Sequence, residues 1–337
     1  MRLPKIVSLF SGAGGLDLGF RDAGFELAFA LDKSEWAIKT HRRNFPSTKS
    51  VAADLTLLKP QGVLLELAEV LAPGDPIGVI GGPPCQGFSR ANSLALASDP
   101  RNQLPTLYLE VVEALQEAYK VEFVLFENVL GIRDAKHAEV YAGIIDNFKA
   151  IGLAESVNDY CALDFGVPQA RRRVIISAFT SRAASSRFQP VTQPQQDLSV
   201  RAAIGDLPAP AYFNRALTPA DIPLHPNHWT MRPLSPRFKD PENYRSGTRS
   251  FRRLEWDKPS PTVAYGHREI HVHPDGHRRL SVYEAMRLQG FPPDFVLEGT
   301  LSAQVEQVSN AVPPPMATAF AHATRRVLTP DTPAGSQ

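Results

Sequence analysis

Within its first fifteen residues the chain runs from a short apolar stretch, Ile6 to Phe10, into Ser11-Gly12-Ala13-Gly14-Gly15, and then into a helical pattern from Leu16 to Ala23. A strand that ends in a glycine-rich turn and reverses into a helix opens an α/β fold, because the helix carries the chain back for a second parallel strand. The pattern repeats. Apolar runs at Phe25 to Leu31, Ile77 to Ile80, Phe123 to Phe126 and Val174 to Phe179 read as further strands. Helical stretches fall between them at Glu35 to Asn44, Gly62 to Leu71, Leu107 to Tyr119 and Ala138 to Ala150. This alternation predicts an α/β fold on a parallel sheet.

The pattern then lapses. Residues 180–279 hold 13 of the 30 prolines and six of the nine histidines. They carry 15 Lys/Arg against 9 Asp/Glu, a net +6, so the remainder of a +1 chain carries −5. A basic coat over the whole molecule is excluded, while a local basic face is expected. The segment reads as a second domain of loops and short strands. Helical periodicity returns at Leu280 to Leu288 and again at Pro315 to Val327, and Thr329 to Gln337 reads as a frayed tail. The predicted division is a core over 1–182, a basic domain over 183–304, a helix over 305–328 returning to the core, and a tail over 329–337. Two cysteines build neither a disulfide framework nor a four-thiolate zinc site, so no metal is expected. With no apolar window of membrane-spanning length and no secretory pattern, a cytoplasmic protein is expected.

Three strand ends carry chemistry. The first is the glycine turn. Position 17, where a dinucleotide fingerprint needs its third Gly, is Asp17, which weakens an NAD reading. Asp32 ends the second strand, 20 residues after Gly12, where a carboxylate accepts from ribose hydroxyls. A nucleoside cofactor without a pyrophosphate fits better, and S-adenosylmethionine is one. The second is Cys85, at the tip of an apolar strand behind Gly81-Gly82-Pro83-Pro84, where rigid residues aim the sulfur rather than bury it. A zinc deaminase would need a second Cys at position 88 and an upstream His-x-Glu; position 88 is Phe88, so that reading fails. The third is Glu127. After four apolar residues it is expected to be part-desolvated and able to give a proton. Beyond these lie Arg171, Arg172 and Arg173, where period-two alternation sends the outer two to one face.

Together these residues resemble the DNA cytosine-5 methyltransferase family, in order along nearly the whole chain. The matching segments are Phe10-Ser11-Gly12-Ala13-Gly14-Gly15, Pro83-Pro84-Cys85-Gln86, Glu127-Asn128-Val129, Gln169-Ala170-Arg171-Arg172-Arg173, Leu280 to Phe291, and Asn310-Ala311-Val312-Pro313-Pro314. Tyr283, Ser309 and Lys33 depart from the family's usual Arg, Gly and apolar or aromatic residue. The resemblance implies a Rossmann-like S-adenosylmethionine-dependent methyltransferase core with a mixed, mostly parallel sheet, and a smaller loop-rich target-recognition domain. It implies Cys85 as nucleophile, Glu127 as acid, and Arg171 and Arg173 as holders of the base. Phe10, Gly12, Gly14, Asp32, Asp54, Leu55, Pro84 and Asn310 are placed in the cofactor pocket. Residues Gln86 to Leu104 are the expected closing loop. Arg245, Arg249, Arg252 and Arg253 are the first candidates for DNA contact. The implied reaction converts S-adenosyl-L-methionine to S-adenosyl-L-homocysteine on a flipped cytosine of double-stranded DNA. The protein would act as a monomer in the nucleoid, with a cognate restriction endonuclease acting independently as a further partner. Two other readings stand beside it: a tRNA-type cytosine-5 methyltransferase and a non-catalytic DNA-binding relative.

Overall fold

The computed structural model of the chain describes residues 2–84, 103–193, 197–240, 251–262, 264–265 and 269–329. The core is a seven-stranded sheet. Its first half comprises β1 (Lys5–Leu9), α1 (Gly15–Asp22), β2 (Leu27–Asp32), α2 (Glu35–Asn44), β3 (Lys49–Ala52), α3 (Leu55–Leu67) and β4 (Pro76–Gly81). There follow α4 (Leu104–Ala118), β5 (Lys120–Asn128), α5 (Ala138–Ala150), β6 (Ala154–Cys161), the two-residue β7 (Gln169–Ala170) and β8 (Arg172–Phe179). The strand order is β3-β2-β1-β4-β5-β8-β6. The five strands from β3 to β5 run parallel, and β8 pairs antiparallel with both β5 and β6.

Alternation along the strands makes two apolar layers. On β5, Phe123 and Leu125 join Phe20, Phe179 and Phe320 on one face, while Val124 and Phe126 join Phe29, Tyr108 and Phe148 on the other. Both faces are covered by helices, as a largely parallel sheet requires. The chain winds from β1 outward to β3, then returns to the middle and winds the other way through β4 and β5. The switch lies between β1 and β4. In open α/β sheets ligands bind beyond the carboxyl ends of the strands at that point. The glycine turn leaves β1 there, and the Gly82-Pro83-Pro84 segment leaves β4 there.

The segment after β8 is irregular, as its proline content predicts. It holds α6 (Arg182–Ser186), α7 (Val200–Ile204) and the two-residue strands β9 (Ala211–Tyr212), β10 (Trp229–Thr230), β11 (Ser260–Pro261), β12 (Ala264–Tyr265) and β13 (Glu269–Ile270). Strand β11 pairs with β7 and so ties this region to the arginine segment. Helix α8 (Val282–Leu288) starts on a reciprocal cap, in which Glu284 N donates to Ser281 Oγ at 3.0 Å and Ser281 N to Glu284 Oε2 at 2.6 Å. Arg278 grips the same carboxylate with two bonds of 2.8 and 2.7 Å. The return to the core is two helices, α9 (Leu301–Asn310) and α10 (Pro314–Leu328), separated at Pro313. Helix α10 packs along α1, and Arg325 Nη1 donates to Ala23 O at 3.1 Å. Among the described residues no helix is long and apolar enough to cross a membrane.

Candidate active site

The turn after β1 is held from beneath. Gly14 takes φ +91°, and a Cβ there would meet the Phe45 ring at 2.4 Å, so the backbone lies directly on that ring. Phe10 is not glycine yet has φ +54°, a sparsely populated conformation that costs about 1–3 kcal/mol and persists where surrounding structure imposes it. Ser11 N donates to Leu31 O at 3.0 Å and Gly12 N to Asp32 Oδ2 at 2.9 Å, so β2 clamps the turn. Ser34 N donates to the other Asp32 oxygen at 2.8 Å. Burial, the dominant effect, pushes the Asp32 carboxyl above the ordinary value, and these two amides pull the other way. Ser11 Oγ is buried and has no hydrogen-bond partner, an unspent polar atom on the turn.

The ends of β4 and β5 meet. A Cβ on Gly82 would lie 2.7 Å from Glu127 Oε2, so only a bare backbone lets the carboxylate approach this closely. Asn128 Nδ2 donates to Pro83 O at 3.2 Å, which fixes the chain two residues before Cys85. Glu127 Oε1 faces Arg173 Nε at 2.7 Å, with the two side chains 10% and 12% exposed. At that burial the pair is shielded from screening and holds a fixed geometry. Arg173 Nη1 also donates to Arg172 O at 2.7 Å. One acid is thus oriented by a guanidinium on one oxygen, with its other oxygen against the Gly82-Pro83 backbone. A sparsely hydrated acid beside a nucleophile segment suits proton transfer to a bound ring.

The family model of the C-5 cytosine-specific DNA methylases matches residues 4–326. The chain belongs to that family. The Type II methyltransferase M1.HphI of Haemophilus parahaemolyticus is 33% identical over 341 residues, covering 96% of this chain and 87% of that protein. The Type II methyltransferase M.MthTI of Methanothermobacter thermautotrophicus is 32% identical, covering 96% and 97%. A crystal structure assigned to a DNA modification methyltransferase of an E. coli prophage superposes with a TM-score of 0.74 at 25% identity, covering 97% of this chain and all of that one. The protein is a DNA cytosine-5 methyltransferase, and its sheet is that of the S-adenosylmethionine-dependent methyltransferases, as the resemblance implied.

The methyltransferase separates the two arginines that its sequence suggests should act together. Arg173 faces Glu127. Arg171 is 1% exposed, and its Nη1 and Nη2 donate to the carbonyls of Ser309 and Asn310 at 2.9 and 3.4 Å. Its guanidinium holds main chain at the end of α9, which is the geometry of a positioning residue. Gln169 joins the same junction. Its Nε2 reaches Gln289 Oε1 at 3.2 Å, and Gln289 Nε2 donates to the carbonyls of Val308 and Ala311 at 2.8 and 2.7 Å. Three of the sequence segments therefore lock around one turn, with Asn310 exposed at its edge. Tyr283 stacks on His225 at 4.1 Å between centroids, an aromatic contact in the place of the family's usual Arg.

Asp54 follows β3, and its Oδ1 caps α3. It accepts from Thr56 N at 2.9 Å and Thr56 Oγ1 at 2.7 Å, and these bonds hold its carboxyl below the ordinary value. Leu55 is buried at the first turn of α3, and Pro84 is half-buried. Cys85 and residues 86–102 of the expected closing loop lie outside the described residues, as do Arg245 and Arg249. Arg253 turns inward, donating from Nε to Pro274 O at 2.6 Å, whereas Arg252 is exposed.

Sequence reasoning missed a buried network beneath the turn. Ser8 Oγ donates to Asp17 Oδ2 at 3.0 Å, His41 Nε2 lies 3.2 Å from Asp17 Oδ1, and His41 Nδ1 lies 2.8 Å from Ser50 Oγ. Asp17 and His41 are fully buried. The network joins β1, α1, α2 and β3, the elements that frame the turn, and the His41 ring also touches the space a Gly14 side chain would need. The available signal was Asp17 itself, a charge between Leu16 and Leu18 on an otherwise apolar helix face.

Proposed function

We propose that the protein transfers a methyl group from S-adenosylmethionine to C5 of a cytosine flipped out of a specific duplex DNA site, through a covalent bond from Cys85 to C6. The observation that carries the reading is the junction of Gly82 and Pro83 with Glu127 and Asn128, which joins the nucleophile segment to an acid oriented by Arg173. The relatives' names as Type II methyltransferases support site-specific duplex DNA as substrate.

The residues at the turn suit a nucleoside cofactor. Asp32 is anchored by two amides and keeps lone pairs for ribose hydroxyls, and Ser11 Oγ is buried without a partner. Phe10, Gly12, Gly14, Asp54, Leu55, Pro84 and Asn310 complete the assigned pocket. When bound, S-adenosylmethionine supplies a methyl group on an electrophilic sulfonium.

Cytosine C5 is too weak a nucleophile for that methyl until the ring is activated. The Cys85 thiolate adds to C6, and the displaced electron pair reaches N3, where Glu127 delivers a proton. The enamine so formed is nucleophilic at C5. After methylation a base removes the C5 proton, the N3 proton returns to Glu127, and the double bond re-forms as the thiolate leaves. Arg173 steadies the Glu127 carboxylate, and Arg171 positions the turn at Ser309 and Asn310. A base in a stacked duplex cannot reach these groups, so the target must leave the helix.

The test is tritium transfer from labelled S-adenosylmethionine. Wild type should label duplex DNA and form a stable adduct with 5-fluorocytosine DNA, where fluorine blocks the final elimination. Cys85→Ala should lose both while still binding duplex. A Cys85→Ala protein that methylates would overturn the mechanism, and label accepted by tRNA instead of DNA would overturn the substrate.

A further inference from the structure

Among the described residues, cations around the sheet are commonly matched by nearby acids: Arg2 by Glu26, Lys49 by Glu66, Lys120 by Glu122, Arg133 by Asp159 and Lys149 by Asp146. Arg237 differs. It is exposed, no described carboxylate pairs with it, and its guanidinium stands over the Phe251 ring at 4.8 Å from the centroid. Arg279 stands over the same ring at 4.7 Å, and its Nη1 donates to Ile270 O at 2.6 Å. The ring is supported by buried Phe238 at 6.0 Å. Arg252, next along the chain, is exposed. Arg252 and Arg279 both bear on His271, whose imidazole is pushed down to about 4, by burial first and by these cations after. Arg237 and Arg279 therefore share the Phe251 ring, and Arg279 and Arg252 both act on the neighbouring His271.

We propose that Arg237, held over the Phe251 ring that Arg279 also covers, clamps the phosphate backbone of duplex DNA. The inference rests on the DNA reading above and assigns the contact to named residues. A ring contacts a guanidinium through its face and so does not consume the N–H groups in its plane, and none of those of Arg237 is bonded to a described carboxylate. That planar fork matches two phosphate oxygens, which a lysine's single ammonium does not. Stacking also removes rotamer freedom before the partner arrives, so less is lost on binding. Arg237, with no described acid to neutralise it, remains available to displace the counterions condensed on DNA. Phosphate contacts fix register and carry no base information, so the clamp positions the duplex without choosing its sequence.

The test uses the full chain and a fluorescent duplex, with binding measured by anisotropy across a series of salt concentrations. Arg237→Ala should weaken every duplex alike and reduce the slope of log affinity against log salt by about one unit. Arg237→Lys keeps the charge and should restore most of the slope but not the affinity. Phe251→Leu keeps both charges, so affinity should fall several-fold with the slope nearly intact. Cofactor affinity, measured in parallel, reports that each variant is folded. An unchanged slope and affinity in Arg237→Ala, with wild type binding duplex normally, would overturn the clamp. So would a change of site preference, which would make Arg237 a base reader. Wild type that binds tRNA and no duplex would instead defeat the DNA reading, leaving the two failures distinct.

Discussion

Arg173 and Arg237 are both guanidiniums at functional surfaces, and the protein prepares them in opposite ways. Arg173 is nearly buried against the Glu127 carboxylate at 2.7 Å, whereas Arg237 is exposed, stacked on an aromatic ring. At the end of β5, charge is organised by charge, and the acid has its counterpart before substrate enters. At Phe251, beyond β8, an apolar support orients Arg237 without neutralising it, although Arg278 and Arg201 in the same region are matched by Glu284 and Asp257. The first arrangement suits a group that must move a proton at a fixed place. The second suits a group whose counterpart belongs to another molecule. If this division holds, variants around the sheet ends change rate or cofactor affinity and leave salt dependence alone, and variants of the stack do the reverse.

The largest expected effect short of removing Cys85 is at Glu127. Glu127→Gln retains the shape and a hydrogen bond to the ring but cannot deliver a proton. Single-turnover methylation should fall by ~10²–10⁴, the range for a positioned general acid, with cofactor affinity and salt slope unchanged. A variant with the wild-type single-turnover rate would remove Glu127 from the mechanism.

The buried network under the turn comes next. His41→Phe fills the space but leaves Asp17 Oδ1 without its partner, while Ser50 Oγ keeps its 3.3 Å bond to Thr48 O. An unsatisfied buried group costs about 1–3 kcal/mol, which should appear in the chemical denaturation midpoint. A positioning role predicts more than lost stability: the cofactor dissociation constant should rise about tenfold, equal to ~1.4 kcal/mol, with the single-turnover rate at saturating cofactor nearly preserved. Reduced stability with unaltered cofactor affinity would make the network structural only.

Local signals in the sequence reached some of this and missed the rest for identifiable reasons. Helices α2 and α5 fall on the expected residues, since both show clear periodicity between turn signals. Strand β6 has no such signal. Its sequence AESVNDYC alternates weakly because it is a half-exposed edge strand, held by antiparallel pairing to β8. Helix α3 begins seven residues earlier than the Gly62 start expected, at the Asp54 cap, and bends at Lys59, whose φ is +58° ahead of Pro60. The terminal helix expected at Pro315 to Val327 is α10, one residue longer at each end, and α9 precedes it on the other side of Pro313. At the site, spacing identified which residues are chemical but not which partners they take. Alternation put Arg171 and Arg173 on one side of the chain, yet only tertiary packing assigns one to the carbonyls of Ser309 and Asn310 and the other to Glu127. The Asp17–His41 pair joins two helices, and no periodicity within either reveals it. Likewise the stack on Phe251 unites residues 237, 251 and 279 from three separate segments of the chain.

The smallest expected effect tests the other side of the comparison. Lys149 lies in the last turn of α5, exposed, with its Nζ 3.2 Å from Asp146 Oδ1. It is a surface cation, as Arg237 is, but it already has an acid beside it and no ring beneath it. Exposed pairs of this kind are worth about 0–1 kcal/mol, so Lys149→Ala should shift stability by no more than that. More to the point, the salt slope of duplex binding counts phosphates neutralised, and a lysine engaged with its own aspartate contributes no such contact. The slope should therefore match wild type, while Arg237→Ala measured in the same series loses about one unit. Equal losses in the two variants would mean that the slope responds to overall charge, since each removes one positive charge. The distinction between a cation paired with its own acid, as Lys149 is, and one stacked on a ring, as Arg237 is, would then describe the structure without describing its function.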